Sequence, residues 1–416
     1  MLDAQHLRGF VWAFPCLSDW RCATSRVYLF ACLSGRSERL IARWIQSQRQ
    51  CSRLRPLDRI LAVFEGKRSD RIVWQPRIDH WYDVNKKLGT LPTEYKGKEL
   101  LQIYDDLRAS PRTYRFFDPT IKVIQGDGVD MRVVEDETKI ITTYVTPIGK
   151  LREVQTRTVH GTTTYHTEYL LKGLEDFRTL AYVLERQSFE FDKKLYDRVS
   201  KEIGDRSEPI VNLPWGSIQR LTVELMGLEK TVILLWKHPR EMNELIRAIQ
   251  ENDSRRIKLI KRTPFKFVNF ADNIDQDLIS PALFEKYMLP WYRASTAELH
   301  DGGKICVSHW DGKVKALIRY ARDTGLDALE CVPPSPMGNI TVEELYEAMR
   351  GMVLFDGIPA TYFLSLVSTR ELIDLTNKIL SIFSPNIILG ISDMLPPNGD
   401  IGKVRTVSEI VEEYVP

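Results

Sequence analysis

Residues 304–331 read KICVSHWDGKVKALIRYARDTGLDALEC, and this stretch decides the fold class. Two short apolar segments, Lys304–His309 and Asp327–Cys331, flank a segment with apolar residues at helical spacing, Lys313–Thr324. A strand, a helix and a second strand in this order are the repeating unit of a parallel β-sheet. The stretch therefore predicts an α/β protein.

The same rhythm continues on both sides of this unit. Eight apolar strands, each followed by a helix, favour a (β/α)8 TIM barrel, and no GxGxxG motif follows a strand to support an open doubly wound sheet. A short entry helix, Pro56–Phe64, precedes the first strand. The predicted strands are Arg71–Pro76, Ile121–Ile124, Pro209–Leu213, Phe265–Phe270, Lys304–His309, Asp327–Cys331, Val353–Asp356 and Ile387–Ile391.

Two regions fall outside this rhythm. Between about 129 and 160, β-branched segments alternate with turn residues, which predicts a small antiparallel β insertion on a barrel that spans 56–416. Residues 1–55 form an N-terminal extension without a clear pattern. Two interpretations of it stay open: the native protein begins near Leu54 and the extension is non-native, or the extension is an accessory arm, disordered or helical.

Composition excludes several classes of protein. Of 416 residues, 43% are hydrophobic and 27% charged, as in a globular rather than a disordered chain. Formal charge is +6 over residues 1–55 and −4 over 56–416, and no Lys/Arg stripe crosses the main body, which argues against a nucleic-acid partner. The longest early apolar run, Val27–Leu33, is far shorter than the ~20 residues that span a bilayer, so we expect no membrane segment.

Cysteine usage bears on the compartment. Only Cys306 and Cys331 lie in the main body, and two scattered thiols are typical of a reduced cytosolic protein. The sequence therefore predicts a cytoplasmic location.

Catalytic side chains of a (β/α)8 barrel lie at the C-terminal ends of its strands. Strand alternation puts Ile305, Val307 and His309 on one face, so His309 is the inward residue at the top of its strand. An imidazole two residues before Asp311 can bind a metal or act as an acid or base. Glu330 ends the next strand and is a second ligand, a catalytic acid or the partner of a loop cation.

Polar residues directly after the other apolar runs complete the candidates. Cys331 is favoured as an inert buried thiol over a third metal ligand. Neither a Ser-His-Asp order nor a P-loop nor HExxH is present, so acyl transfer, nucleotide hydrolysis and zincin chemistry lack motif support. The further candidates are Arg77, His80, Tyr82, Gln125, Asp127, Trp215, Ser217, Asn269, Asp272, Asn273, Asp356, Ser392 and Asp393.

A set of ordered motifs covers residues 56–416. They are RILAVFEGK at 59–67, ISPALFEKY at 279–287, HWDG at 309–312, GLDALE at 325–330, PPSPMG at 333–338, GIP at 357–359 and LGISDMLPP at 389–397. In their order and spacing the chain resembles the uroporphyrinogen decarboxylase superfamily. These (β/α)8 barrels include the haem-pathway decarboxylase and methyltransferases linked to corrinoids or coenzyme M.

The sequence departs from the family at decisive positions. The decarboxylase has an R-Q-A-G-R stretch that binds its tetrapyrrole carboxylates, whereas residues 75–80 here read QPRIDH with one arginine, Arg77. The decarboxylase's late G-H-G is Gly390-Ile391-Ser392 here. Zinc methyltransferases of the superfamily have His-x-Cys and a late cysteine, whereas this chain has His309-x-Asp311 and no late cysteine.

The resemblance implies first a methyltransferase that moves a methyl group from a small-molecule substrate to a corrinoid protein or a thiol. Two alternatives stay open: a carboxy-lyase that needs no cofactor, and a non-enzymatic subunit that handles corrinoid or porphyrin. The implied roles are catalysis for His309, Asp311 and Glu330, zinc binding for His309 and Glu330, and substrate binding for Arg77, His80, Tyr82, Asn269, Asp272, Asn273 and Asp393.

Overall fold

The computed structural model describes residues 54–414 apart from Arg68 and His160. Apart from Leu54 and Arg55, the predicted N-terminal extension lies outside the described residues. Within that described part, no helix combines the length and the apolar character needed to cross a bilayer.

The described chain alternates strands with helices. The strands are β1 Val73–Trp74, β2 Ile121–Ile124, β3 Asp130–Glu135, β4 Lys139–Thr146, β5 Gly149–Arg157, β6 Thr164–Glu168, β7 Ser188–Phe191, β8 Ile210–Leu213, β9 Phe267–Phe270, β10 Ile305–His309, β11 Ala328–Glu330, β12 Val353–Pro359 and β13 Ile387–Ser392. The α-helices are α1 Pro56–Phe64, α2 Asp79–Leu88, α3 Leu100–Asp106, α4 Tyr114–Phe117, α5 Phe177–Arg186, α6 Lys193–Ile203, α7 Ser217–Gln219, α8 Leu228–Lys237, α9 Pro239–Lys261, α10 Pro281–Leu283, α11 Leu289–Asp301, α12 Val342–Ala348, α13 Thr369–Phe383 and α14 Ile401–Glu413. Two π-helices, Arg220–Leu225 and Phe284–Met288, directly follow α7 and α10.

The central sheet has seven parallel strands in the order β1-β13-β12-β11-β10-β9-β8. The sheet curls into a TIM-like barrel, which confirms the predicted fold class. Seven of the eight predicted strands lie in this sheet, and these seven are parallel to one another, as predicted.

The prediction of the second barrel strand was wrong. Ile121–Ile124 pairs antiparallel with Ser188–Phe191 in a separate two-stranded sheet. Residues 110–113 occupy the gap between the two edge strands instead: the Ser110 amide donates to the Trp74 carbonyl at 2.9 Å, and the Thr113 hydroxyl accepts from the Ile210 amide at 3.0 Å. Residues 110–113 read SPRT, which has no apolar run and contains a proline, so the sequence does not mark this segment as a strand. The segment also makes few ladder hydrogen bonds.

The predicted antiparallel insertion is present as a four-stranded sheet, β3-β4-β5-β6. It runs from Asp130 to Glu168. Tyr144 of β4 faces α5 and the body of the protein, whereas β3 lies at the outer edge with every residue exposed.

The lower half of the barrel interior is apolar. Each barrel strand contributes an inward side chain there, and Ile60 and Val63 of α1 pack against them from below. Val307 lies in this cluster and Cys306 packs outward against the helices, so the predicted alternation of β10 is correct. The strand residues of the cluster are Val73, Ile210, Phe267, Val307, Ala328, Val353, Phe355 and Ile388.

Candidate active site

His309 and Glu330 lie side by side at the upper end of the barrel interior. They are register partners in the parallel pair β10–β11, and each is two residues above an inward apolar residue. His309 Nδ1 lies 3.7 Å from Glu330 Oε2, and both side chains are buried. The two residues converge on one site, as alternation along adjacent parallel strands requires.

Two arginines hold Glu330 from the other side. Arg112 is 1% exposed; its Nη1 donates to Glu330, and its Nη2 donates to Asp356 Oδ1 at 2.9 Å. Its Nε donates to Gln75 Oε1 at 3.1 Å, so the guanidinium fork is fixed in one orientation. Arg77 donates to Asp393 and lies 3.7 Å from Glu330 Oε1.

These contacts set the protonation states. Burial alone raises the pKa of Glu330, but Arg112, His309 and Arg77 together outweigh burial and hold this pKa well below its usual range. Burial likewise lowers the pKa of His309, but the neighbouring Glu330 carboxylate leaves it raised. Burial raises the pKa of Asp356 to about 7 even though Arg112 opposes it. The site therefore holds one firmly ionised carboxylate against the imidazole.

Two residues in left-handed backbone conformation redirect side chains into this site. Cys331 has φ 70° and Asp356 has φ 76°, which are rare values for residues other than glycine. Each follows an inward residue, Glu330 or Phe355, and regular alternation would turn it outward. The strained backbone breaks that alternation, so consecutive side chains of both strands reach the barrel interior.

Gly390 leaves the space that the buried ion pair needs. A Cβ at this position would collide with the Asp356 carboxylate and would lie 2.8 Å from the Gln75 carbonyl oxygen. Any larger residue at position 390 would push the Asp356 carboxylate away from Arg112.

Three side chains form a candidate metal-binding set at the mouth. Ligand atoms of His309, Cys331 and Asp393 all lie within 4.8 Å of one another. His309 Nδ1 faces Glu330, which leaves Nε2, 3.7 Å from Asp393 Oδ1, free to face a metal. Asp311 Oδ1 lies 3.8 Å from Cys331 Sγ and adds an oxygen beside the set. Imidazole, thiol and carboxylate donors at this spacing fit a zinc-like ion, with Glu330 as the carboxylate that orients the histidine.

The predicted residues on β9 and its loop line the neighbouring wall, where their polar atoms serve mainly to hold the backbone. Asp272 accepts from the Gly216 amide and from the Tyr292 hydroxyl, both at 2.6 Å. The Asn273 backbone is clamped by Gln219. Asn269 donates to Asn212 at 3.0 Å, while its own Oδ1 is buried without a hydrogen-bond partner among the described residues.

Two of the residues predicted directly after the first strand, His80 and Tyr82, lie on a helix. Residues 79–88 form α2, so His80 lies half-buried on its first turn. The Tyr82 hydroxyl donates to the Lys98 carbonyl and lies 3.1 Å from Glu99 Oε2, near the start of α3. Its polar atom is thus occupied outside the cluster that holds Arg77.

Arg112 is the main residue that sequence reasoning missed. It lies in residues 110–113, which carry no apolar run. Chain length offered a signal. The sequence predicts a helix over Lys98–Leu107, and connections between a helix and the next strand are usually 2–6 residues long, but the gap from Leu107 to the predicted strand at Ile121 is much longer. A strand-like segment was therefore due soon after Leu107.

Fold and site together define a parallel barrel with a charged, metal-competent mouth at the carboxyl ends of its strands. Residues 140–414 match the family model for uroporphyrinogen decarboxylase (URO-D), and the chain belongs to this family. The resemblance drawn from the sequence motifs is confirmed.

Solved structures add two likenesses. A methyltransferase from Methanosarcina mazei is 12% identical with a TM-score of 0.57, over 86% of this chain and 99% of that one. A putative vitamin-B12 independent methionine synthase from Listeria monocytogenes is 11% identical with a TM-score of 0.40, over 83% of this chain and 96% of that one. The first likeness supports the fold alone. No curated protein matches the chain.

Proposed function

We propose that the protein is a methyltransferase that moves a methyl group from a small oxygen- or nitrogen-bound donor to a corrinoid protein or a thiol. The observation that carries the proposal is the convergence of His309, Cys331 and Asp393 within 4.8 Å at the barrel mouth. Such a donor set suits a divalent metal that activates a methyl-bearing atom or an accepting thiol.

Each residue of the set has a distinct part in this proposal. His309 Nε2, Cys331 Sγ and an Asp393 oxygen would hold the ion, which would supply Lewis-acid activation. Glu330 is a positioning residue: its Oε2 lies 3.7 Å from His309 Nδ1, and in the metal-bound protein it would accept from Nδ1–H and fix the ring. Arg112 keeps Glu330 ionised for that task.

Asp311 is the proposed proton donor. Transfer of the methyl group as a CH3+ equivalent from a neutral methoxyl or N-methyl donor leaves an anionic oxygen or nitrogen on the substrate, and that atom must take up a proton. Without a bound ion, burial raises the pKa of Asp311, with His309 opposing this effect and Asp393 adding to it. Asp311 Oδ1 lies beside the metal-binding set, where the leaving atom would be held.

Charge placement disfavours the alternative of a decarboxylase acting on a tetrapyrrole. Arg77 and Arg112 are the arginines of the cluster, and both are already paired with carboxylates of the chain: Glu330, Asp356 and Asp393. Few uncompensated cations remain to bind a substrate that carries many carboxylates.

A corrinoid partner that docks at the mouth would bring the accepting cobalt close to the donor.

A methyl-transfer assay with cob(I)alamin and a panel of methoxylated and N-methylated donors tests the proposal. Wild-type protein should contain about one zinc-like ion and methylate cob(I)alamin. His309→Ala should lose both metal and activity by at least about 100-fold. His238→Ala, which alters a half-buried histidine between α8 and α9 that belongs to neither candidate metal-binding group of the described residues, is the matched control and should keep both.

Two results would discard the proposal. One is a His309→Ala variant that still transfers methyl groups at the wild-type rate. The other is metal-free wild-type protein that releases CO2 from carboxylated donors, which would favour the carboxy-lyase instead.

A further inference from the structure

A cavity lies beside the barrel mouth, between the inserted sheet and the segment that follows β8. Its volume is about 440 Å³, within the range of small-molecule sites. Strands of the insertion supply one wall, and the loop after β8 and the π-helix Arg220–Leu225 supply the other. None of the residues of the proposed metal site lines it. A π-helix is an uncommon element that often marks a functional site.

The cavity is lined by more carboxylate charge than the chain compensates. Glu153 projects from the insertion and Glu224 from the π-helix. Arg220 divides its charge between Glu224, at 3.5 Å, and Asp253, at 3.3 Å. Glu153 pairs with His166 at 3.4 Å, and among the described residues no Lys or Arg lies within 4 Å of its carboxylate.

The remaining lining is aromatic and aliphatic. Trp215 and Tyr144 stand on opposite walls with several leucine and valine side chains between them. Aromatic rings beside carboxylates are the usual setting for organic cations, which gain from both charge and ring contacts. A wholly hydrated metal ion would gain nothing from the apolar walls.

We propose that this cavity is a second ligand site, which binds a small organic ammonium ion between Glu153 and Glu224 with its apolar part against Trp215 and Tyr144. The ligand would bridge the insertion and the barrel, because each carboxylate belongs to a different one of these units. Binding would therefore fix the insertion against the barrel. This inference does not depend on the proposed methyl transfer.

Calorimetric titration of the full chain with benzyltrimethylammonium tests the site, with benzyl alcohol and benzoate as neutral and anionic controls. The cation should bind, and the two controls should bind at least about tenfold more weakly. Glu153→Gln and Glu224→Gln should each weaken cation binding by about tenfold. Glu202→Gln removes the same charge from an exposed position on α6 and should change nothing.

Hydrogen exchange on wild-type protein gives a readout that needs no variant. The cation should protect residues 144–155 and 220–225. Equal binding of benzoate, unchanged affinity in both glutamine variants, or protection confined to the barrel mouth would each overturn the proposal.

Discussion

The two halves of the barrel interior are built from the same strands but have opposite chemistry. In the lower half, Phe267, Val307 and Ala328 form an apolar layer closed by α1. Two residues further along the same strands, Asn269, His309 and Glu330 form a polar layer. On each of these strands, a residue of the apolar core and a residue of the polar layer are thus only two positions apart.

The two layers therefore stabilise the folded protein in different ways. Burial of the lower layer stabilises the protein without specific partners, at roughly 25 cal/mol per Å² of apolar surface. The upper layer is stable only while each buried charge keeps its partner, because an unpaired buried charge costs several kcal/mol. We therefore expect the two layers to respond differently to substitution.

Removal of Arg112 should have the largest effect. Arg112→Met leaves Glu330 and Asp356 buried without their shared cation. We expect a loss of about 3–5 kcal/mol in the free energy of unfolding, measured by chemical denaturation at pH 7. Arg370→Met, which removes an exposed i,i+4 partner of Asp374, should cost less than about 1 kcal/mol. Equal losses in both variants would contradict the account of the upper layer.

The pH dependence of stability tests another buried carboxyl, Glu208, which lies just before β8. Burial raises its pKa from the usual 4.5 to about 7, against the opposing effect of Arg112. The folded protein thus keeps a proton that the unfolded chain has released, so stability falls as pH rises from about 4.5 to about 7. This group accounts for a decline of about 3 kcal/mol.

Glu208→Gln should remove that part of the decline in denaturation experiments at pH 5 and pH 7.5. The exposed Glu202→Gln serves as control and should follow the wild-type curve. An unchanged slope in Glu208→Gln would show that this carboxyl titrates normally.

A conservative change in the lower layer should separate stability from activity. The Phe267 ring packs edge-on against Phe64 of α1, with centroids 5.2 Å apart. Phe267→Leu should lower the free energy of unfolding by about 1–2 kcal/mol and leave metal content and methyl transfer unchanged. If metal content fell as far as in His309→Ala, the two layers would not be independent.

The smallest effect is expected at Tyr82, outside both layers. Tyr82→Phe removes a hydroxyl that bonds the Lys98 carbonyl and contacts Glu99. We expect a stability change below about 1 kcal/mol and an unchanged kcat. A fall in kcat of tenfold or more would place Tyr82 back in the substrate site where the sequence put it.

Regular alternation explains why much of the site was predictable. His309 and Glu330 follow apolar residues at period two on strands that are adjacent in sequence, so their direction and proximity follow from strand geometry. The alternation of strands and helices predicted the barrel, and the family motifs agreed with it. The helix that carries Tyr82 was also predictable, since Trp81 and Val84 have helical spacing and Gly89 is a typical helix end.

Other features carry no local signal. Ile121–Ile124 has the composition of a barrel strand, and only its antiparallel partner, Ser188–Phe191, shows otherwise. The Cys331 side chain points inward because its backbone is left-handed, and a cysteine in the sequence gives no sign of that conformation. Arg112 is held by residues far away in sequence, so its role emerges only from the folded barrel.

Gly390 links shape to charge in this barrel. Its lack of a side chain, rather than any freedom of its backbone, is what allows Asp356 to remain beside Arg112. One added methyl group on an uncharged residue would therefore redistribute electrostatic potential around the imidazole of His309. Steric room on β13 thus acts on the acidity of an imidazole three strands away, and engineering of this mouth can tune its charge without altering any ionisable residue.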